Sequence, residues 1–575
     1  MPALSPVQSS RRLTLLFALL IAVAIMVLLR LFYWQVMRYD DLSRIAAQER
    51  GQTVTEYARR GDIISSDGVL LATDVYGYQV TAHPAEMVAP ESTAGLLAPV
   101  LNLSQSELSQ AFQQHQSTVM VAYDAPSTVG PKLNALHADD KLPGIDFVAT
   151  PRRRYPGDSL AAHILGFVNA NRAGAYGVEQ YYNDTLSGHD GQTTGVSDAL
   201  RSEFLWFDSP RDTTPVVDGS RLVLTLNSSM QNIAERELAQ ALHDSGGTGG
   251  QIIILDAQTS AILALASSPA PDLNAYSTTP LSQYTDPAIS LPYEPGSVFK
   301  VVTLAAGLDS GKINQNITFN DTGTCTVGGH SYYNHDFLKP GIVDLVGVMK
   351  LSLNVEACKI AIAAGAKTFY QYLHDFGFGS LTGVDLWGEI SGTVKNPGDG
   401  IWYESDLGSN AFGQGLATTP LQMANALAAV ADGGKLNRPY IVAKVIHPDG
   451  SADVRGPHLV RQVIKPQTAQ LVNSILSRSI GTESINQAVI PGYAIAGKTG
   501  TAQIPIPGGY DPKWTIASFG GWLPVNHPQF VILVKIDRPT KSQWGSVVAS
   551  PVFARVAQQL VQLTGLAPDA VRAAQ

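Results

Sequence analysis

Cysteine is almost missing from this chain: Cys325 and Cys358 are the only two in 575 residues. No disulfide framework is therefore expected to carry the fold. Cys358 reads as a small buried packing residue in preference to one half of a pair with Cys325. An excess of positive charge is missing too. Lys and Arg number 39 against 48 Asp and Glu, a net charge of -9, which argues against a nucleic-acid partner. Clustered metal ligands are also lacking, since Cys325, His330 and His335 are too loosely spaced for a zinc site. Neither a metal nor a cofactor is expected. Beyond the first 40 residues no long apolar run recurs, so the chain crosses a membrane once at most.

What is present points to a folded, multidomain protein. Apolar residues make up 45% and charged residues 15%, and the length exceeds what one core supports, so two or three domains are expected. Glycine and proline, at 52 and 34 residues, suggest many turns and a large β component. Leu13 to Leu29 is an uncharged apolar run, and Leu31 to Met37 extends it past Arg30. At about 1.5 Å per residue the combined segment spans a bilayer of about 30 Å. Arg11 and Arg12 precede it, while Asp40 and Asp41 follow, which places the N-terminus in the cytoplasm and the bulk of the chain outside. No small-x-small cleavage site follows, so an anchor is read in preference to a cleaved signal peptide. Phe32, Tyr33 and Trp34 would sit at the outer interface. Arg30 has two readings: it snorkels to the interface, or it faces a partner membrane protein.

Three segments are expected: residues 1–40 as tail and anchor, 41–220 as a β-rich pedestal, and 221–575 as the larger domain. Asp40 to Arg60 reads as a short helix and linker. Arg60 to Ala72 reads as a hairpin turning at Asp67-Gly68, Tyr76 to Ala82 as a further strand, and Pro90 to Gln116 as helical. Arg152, Arg153 and Arg154 read as a solvated loop rather than a binding patch. In the larger domain Leu222 to Leu226 is a strand, and Asn227 or Ser228 caps a helix ending at Gly246-Gly247. Gln251 to Leu255 and Ala261 to Ala266 form a buried hairpin. Thr419-Pro420 opens a helix to Ala431, Trp514 to Trp522 and Phe530 to Ile536 are strands, and Val547 to Leu563 is a closing helix. Strands bracket a helical middle, so the fold class is α+β, with a mostly antiparallel sheet covered by helices.

Three short stretches carry chemistry. In Glu294-Pro295-Gly296-Ser297-Val298-Phe299-Lys300 the turn at Pro295-Gly296 leads into an apolar helix, so Ser297 and Lys300 share one face. A serine hydroxyl needs a base, and a lysine desolvated by apolar neighbours can be one. Ser352 and Asn354 lie two apart in a helical region, and both can face one cleft only if the backbone there makes a tight turn. Lys498-Thr499-Gly500-Thr501 lies on a strand. Its hydroxyls and ammonium suit a substrate carboxylate, with Gly500 allowing a ligand backbone close approach. Each stretch alone is a common surface pattern.

Together, S-x-x-K, S-x-N and K-T-G in that order resemble the penicillin-recognising serine acyltransferases. The surroundings are similar to class B penicillin-binding proteins along nearly the whole chain. They include the single anchor, R-G-x-I-x-x-x-D-G-x-x-L-A from Arg60, and Arg154-Tyr155-Pro156. They continue with Gly177-Val178-Glu179, Leu186-x-Gly188-x-x-Gly191, Phe376-Gly377-Phe378-Gly379 to Gly392, and Gly413-Gln414-Gly415 before Thr419-Pro420. The resemblance implies a penicillin-binding transpeptidase fold above a dimerisation-like pedestal.

It also implies a peptidoglycan D,D-transpeptidase in which Ser297 is the nucleophile, Lys300 its base and Ser352 a proton relay. Asn354 would bond the substrate amide, and Lys498, Thr499, Gly500 and Thr501 would hold the terminal carboxylate. Nascent peptidoglycan would be the substrate and β-lactams covalent inhibitors. A SEDS-type membrane glycosyltransferase would be the partner, docking on the anchor and pedestal, with Arg30 a candidate contact. No E-D-x-x-F-x-x-H stretch is found, so strand polymerisation falls to that partner. The compact length and the ending Ser550-Pro551-Val552-Phe553 are more similar to the division (FtsI-type) branch than to the elongation branch. The same reaction in the elongation machinery with a SEDS partner is the alternative; a β-lactam hydrolase or sensor, and a scaffold without catalysis, are more remote ones. The long module before residue 220 and the anchor weigh against the hydrolase.

Overall fold

The computed structural model describes residues 6–42, 51–113, 117–196, 212–480 and 488–574. Residues 43–50 of the expected Asp40–Arg60 linker, and residues 114–116 at the end of the expected helical stretch, lie outside the described residues. The chain divides into two compact units.

The first unit takes residues Met1–Ala58 and His189–Asp218. It holds helix α1 (Pro6–Phe32), continued by a wider helical turn at Tyr33–Met37. The stretch Arg11–Met37 is long and apolar enough to cross a membrane. The Arg30 guanidinium stands 5.7 Å from the centre of the Trp34 ring, one turn along the helix. Gly51–Glu56, Gly191–Val196 and Asp212–Thr214 form a three-stranded antiparallel sheet. The strand Gly51–Glu56 falls where the sequence suggested only a linker.

The second unit, Arg59–Gly188 with Gly219–Gln575, contains the rest. Its N-terminal part is built on the expected hairpin: Ile63–Ile64 pairs with Leu70–Ala82 across a turn in which Gly68 adopts φ +83. Tyr76 to Ala82 is not a separate strand but the second half of that long one, which pairs along its length with Ile145–Arg154. The arginine run is thus the end of a strand and not a loop. Strand alternation turns Arg153 inward, where its Nε meets Glu179 Oε1 at 2.7 Å and its Nη1 meets Asp74 Oδ1 at 3.1 Å. Arg60 Nε reaches the other Glu179 oxygen at 2.5 Å. Arg60 of the R-G stretch, Arg153 and Glu179 of the G-V-E stretch therefore meet in one buried ion network, which Tyr155 of R-Y-P joins by donating to Glu179 Oε1 at 3.4 Å and which a reading by local charge could not reveal. The same sheet continues through Arg221–Leu224 and Val442–Ile446, so pedestal and larger domain share hydrogen-bonded strands.

The larger domain opens with α2 (Ser228–Ser245). Asn227 caps it by accepting from Met230 N at 3.0 Å, and Gly246 closes it in the left-handed region. Strands β1 (Gly249–Asp256) and β2 (Ile262–Ser268) follow as the expected hairpin. The buried helix α3 (Lys300–Asp309) comes next, then the small hairpin β3 (Thr324–Val327) and β4 (His330–Tyr333), then α4 (Leu345–Lys350) and α5 (Asn354–Ala364). Helix α6 (Pro420–Ala431) begins with a reciprocal cap between Thr419 and Gln422 and is buried on all sides, as a central core helix must be. Strands β5 (Ala496–Ile506), β6 (Gly509–Leu523) and β7 (Phe530–Asp537) complete an antiparallel sheet in the order β2-β1-β7-β6-β5, and α7 (Ser550–Thr564) follows, with a short helix at Asp569–Arg572 after it.

Helices cover both faces of this sheet, which is why β1 is an uninterrupted apolar run and does not alternate. Ile253 and Leu255 pack with Leu304 of α3 and Leu427 of α6, while Ile252 and Ile254 pack with Leu238 of α2 and Phe553 of α7. This is the α+β architecture expected.

A further expectation is overturned. Cys325 of β3 and Cys358 of α5 form a disulfide, with Cα atoms 6.4 Å apart. Their 33-residue separation hid the pairing. The hairpin folds back onto α5, and only that tertiary contact brings the two thiols together.

Candidate active site

The turn at Pro295-Gly296 aims the first residues of the nucleophile stretch at the edge strand β5. Gly296 adopts φ +57, and a side-chain carbon there would come within 3.0 Å of Thr501 O and 3.1 Å of Ala502 Cβ. Gly296 N donates to Gly413 O at 3.0 Å, so the G-Q-G stretch braces the turn from the other side. A single 3-10 turn, Gly296–Phe299, then feeds α3. Ser297 stays partly exposed while Val298, Phe299 and Lys300 are buried. The sequence assigned Gly500 the role of admitting a ligand. In the structure the space its side chain would take is filled by the protein, with Ser518 Oγ at 2.3 Å, Val298 Cγ2 at 2.8 Å and Pro295 O at 3.1 Å. Gly500 thus lets the nucleophile turn sit directly against β5.

Lys300 is wholly inaccessible to solvent, at 0% exposure. Its Nζ donates to Ser352 O at 2.6 Å, Ser352 Oγ at 3.3 Å and Asn354 Oδ1 at 2.7 Å. These partners are neutral. Burial, and then the charge of Lys498, hold the amine well below its ordinary range. An uncharged amine one helical turn from a serine hydroxyl can accept that hydroxyl's proton.

Ser352 and Asn354 converge because the helix breaks between them. α4 ends at Lys350, Ser352 adopts a left-handed φ of 54, and α5 starts at Asn354. That is the tight turn the motif requires. For a serine such a backbone is strained, and the surrounding contacts must maintain it. The β3–β4 hairpin supplies some of them: Asn354 Nδ2 donates to Tyr333 O at 3.2 Å, and Val355 N donates to Asn334 Oδ1 at 3.2 Å. The Cys325–Cys358 disulfide fastens the same hairpin to α5.

On β5 the side chains alternate between buried and partly exposed. Lys498, Gly500 and Ala502 are buried, and Thr499 and Thr501 are partly exposed. Lys498 Nζ donates to Thr499 Oγ1 at 3.1 Å, and burial pushes its amine down to about 7. Thr501 Oγ1 accepts from Gly545 N at 3.1 Å. Ser297, Lys300, Ser352, Asn354, Lys498, Thr499, Gly500 and Thr501 are therefore gathered at one cleft between the sheet edge and the helical region. Arg30 belongs to the other unit.

Sequence reading passed over Glu294. It is buried three residues before Ser297, where its Oε1 accepts from Gly415 N at 3.1 Å and from Tyr510 Oη at 3.4 Å. Burial raises its carboxyl to about 7. Its place beside the turn, in an otherwise apolar stretch, was the available signal. Among the described residues no group of His, Cys, Asp and Glu is placed to hold a metal ion.

Comparisons with known proteins identify both modules of the chain. The family model described as the penicillin binding protein transpeptidase domain matches residues 250–558, and that described as the penicillin-binding protein dimerisation domain matches residues 55–224. Stage V sporulation protein D of Bacillus subtilis is 31% identical over 567 residues, covering 97% of this chain and 86% of that protein. A peptidoglycan D,D-transpeptidase FtsI homolog of Mesostigma viride is 29% identical over 600 residues, covering 97% of this chain and 96% of that one. Penicillin binding protein 3 of Mycobacterium tuberculosis, solved in complex with aztreonam, matches with a TM-score of 0.68 at 25% identity, covering 90% of this chain and 98% of that chain. With the transpeptidase model matching more than half of its length behind a dimerisation module, the chain belongs to the class B penicillin-binding proteins.

Proposed function

We propose that this peptidoglycan D,D-transpeptidase cross-links stem peptides during septal wall synthesis through an acyl-enzyme on Ser297. Ser297 Oγ attacks the penultimate D-Ala carbonyl and Lys300 takes its proton. Ser352 passes that proton to the leaving D-Ala amine, while Asn354 bonds the substrate amide. Lys498, Thr499 and Thr501 hold the terminal carboxylate. The backbone N–H groups of Ser297 and Thr501 face the developing oxyanion, each contributing about 3 kcal/mol in comparable sites. An amine of a neighbouring stem peptide then takes the acyl group. β-Lactams enter as mimics of D-Ala-D-Ala and remain on Ser297. The observation that carries this reading is Lys300, which is fully buried, has only neutral oxygens as partners and is held well below its ordinary range beside the serine.

The septal assignment is supported by the FtsI-type similarity. The apolar helix supports a membrane anchor with the catalytic domain outside. Arg11 and Arg12 before it, with Asp40 and Asp41 after it, favour a cytoplasmic N-terminus. A SEDS-type glycosyltransferase docking on the anchor and pedestal is the proposed partner, with Arg30 as a contact. Mass spectrometry of the penicillin-labelled full-length protein tests the chemistry. The adduct is expected on Ser297 and absent from Ser297→Ala. An adduct elsewhere, or rapid release of hydrolysed penicillin, overturns it.

A further inference from the structure

One ring contact at the mouth of the cleft joins its two walls and has no role in the mechanism above. His335 follows β4 on the helical side, and Trp544 immediately precedes the short helix Gly545–Val548 on the sheet side. Their rings meet at 5.4 Å, steeply inclined at 63°. Both are held next to atoms of the site. Beside His335, Asn334 Oδ1 accepts from Val355 N at 3.2 Å and Asn334 Nδ2 donates to Asp321 Oδ2 at 2.8 Å. Beside Trp544, Gly545 N donates to Thr501 Oγ1 at 3.1 Å. His335 is nevertheless exposed. Its imidazole is held below its ordinary range by partial burial, with Asp336 opposing and the charges of Lys300 and Lys498 adding to the effect. It therefore stands near both lysines, and its surroundings favour the neutral imidazole.

The second half-reaction needs something the first does not. The acceptor amine arrives as an ammonium, with no lone pair, at a cleft containing two lysines. We propose that His335, backed by the Trp544 ring, receives the incoming ammonium and takes one proton from it. This rests on the transpeptidase reading. The imidazole becomes an imidazolium, and the freed amine lone pair attacks the acyl carbonyl carbon. The new C–N bond forms and the bond from that carbon to Ser297 Oγ breaks. A second amine proton passes through Ser352 and Lys300 to Ser297 Oγ, and the imidazolium releases its proton to water.

The test uses full-length protein in detergent micelles, a thioester donor that acylates Ser297, and D-alanine as acceptor. Aminolysis and hydrolysis of the acyl-enzyme are measured against pH, with acylation by a fluorescent penicillin as internal control. His335→Ala and His335→Phe are both expected to lower the aminolysis-to-hydrolysis ratio about a hundredfold near neutral pH, with penicillin acylation within about twofold of the parent. The deficit should shrink as rising pH supplies the free amine. The proposal is overturned by an unchanged ratio in both variants. Full aminolysis in His335→Phe alone would also overturn it, since the ring contact would then suffice. A parallel fall of acylation and aminolysis would show a merely structural residue. Failure of the parent protein to acylate at all would instead sink the transpeptidase reading.

Discussion

Arg60 and Arg153 in the pedestal, and Lys300 and Lys498 in the cleft, are all buried cations, yet their surroundings treat them in opposite ways. Burial alone would lower the Arg153 guanidinium, but Glu179, Tyr155 and Asp74 outweigh it and raise it above its ordinary value. Burial likewise raises the Glu179 carboxyl, and Arg153 and Arg60 bring it back below the usual range. Charges there are buried in pairs and stay charged. Lys300 has burial without a carboxylate, because Ser352 and Asn354 offer neutral oxygens only. It loses its proton readily. Desolvation is thus common to both regions. The counter-charge decides whether a buried cation serves as a structural tie or as a base.

The comparison breaks most severely at Lys300. Lys300→Met keeps an unbranched, neutral side chain in the same space but removes the amine. Acylation by a fluorescent penicillin is expected to fall about 10³-fold or more, with the thermal unfolding midpoint little changed. In the pedestal, Glu179→Ala leaves Arg60 and Arg153 buried without their shared partner. A loss of about 3–5 kcal/mol is expected in denaturant unfolding, with poor folding as its extreme form. Retention of full stability would show that solvent or Asp74 already neutralises the arginines.

The third change converts one region into the other. Asn354→Asp sets a carboxylate where the Asn354 Oδ1 now lies 2.7 Å from Lys300 Nζ. A neighbouring negative charge favours the ammonium and raises its pKa by about 1–3 units. In the parent, acylation should fall on the acid side as Lys300 gains its proton. For a substrate with a free carboxylate it should also fall on the alkaline side, above about 7, as Lys498 loses its proton. Binding of that carboxylate would move the alkaline limb upward. In Asn354→Asp the acid limb alone should move to higher pH, and an unmoved limb would show that Lys300 is not the base being titrated.

Much of the site was legible in the chain because its elements are local. The turn at Pro295-Gly296, the helix behind it and the alternation of Lys498 to Ala502 depend on neighbours a few residues away. So do the Asn227 cap and the helix start at Thr419-Pro420. What could not be read were the groups whose meaning depends on a distant partner. Arg153 seemed solvated because Glu179 is 26 positions off. Gly500 seemed shaped for a ligand because nothing local shows Val298 packed against it. His335 and Trp544 are 209 residues apart in number and touch only across the cleft.

The sequence by itself determined the order of chemical groups: an alcohol and an amine one helical turn apart, a serine and an amide two apart, and a lysine with two hydroxyls on a strand. Backbone periodicity and turn chemistry act over a few residues, so those relations survive in any fold that forms the elements. The tertiary structure decided which of those groups share a cleft, which cations keep their charge, and that the two cysteines are joined. Each of these depends on desolvation and contact between segments far apart along the chain, and neither exists until the core has closed.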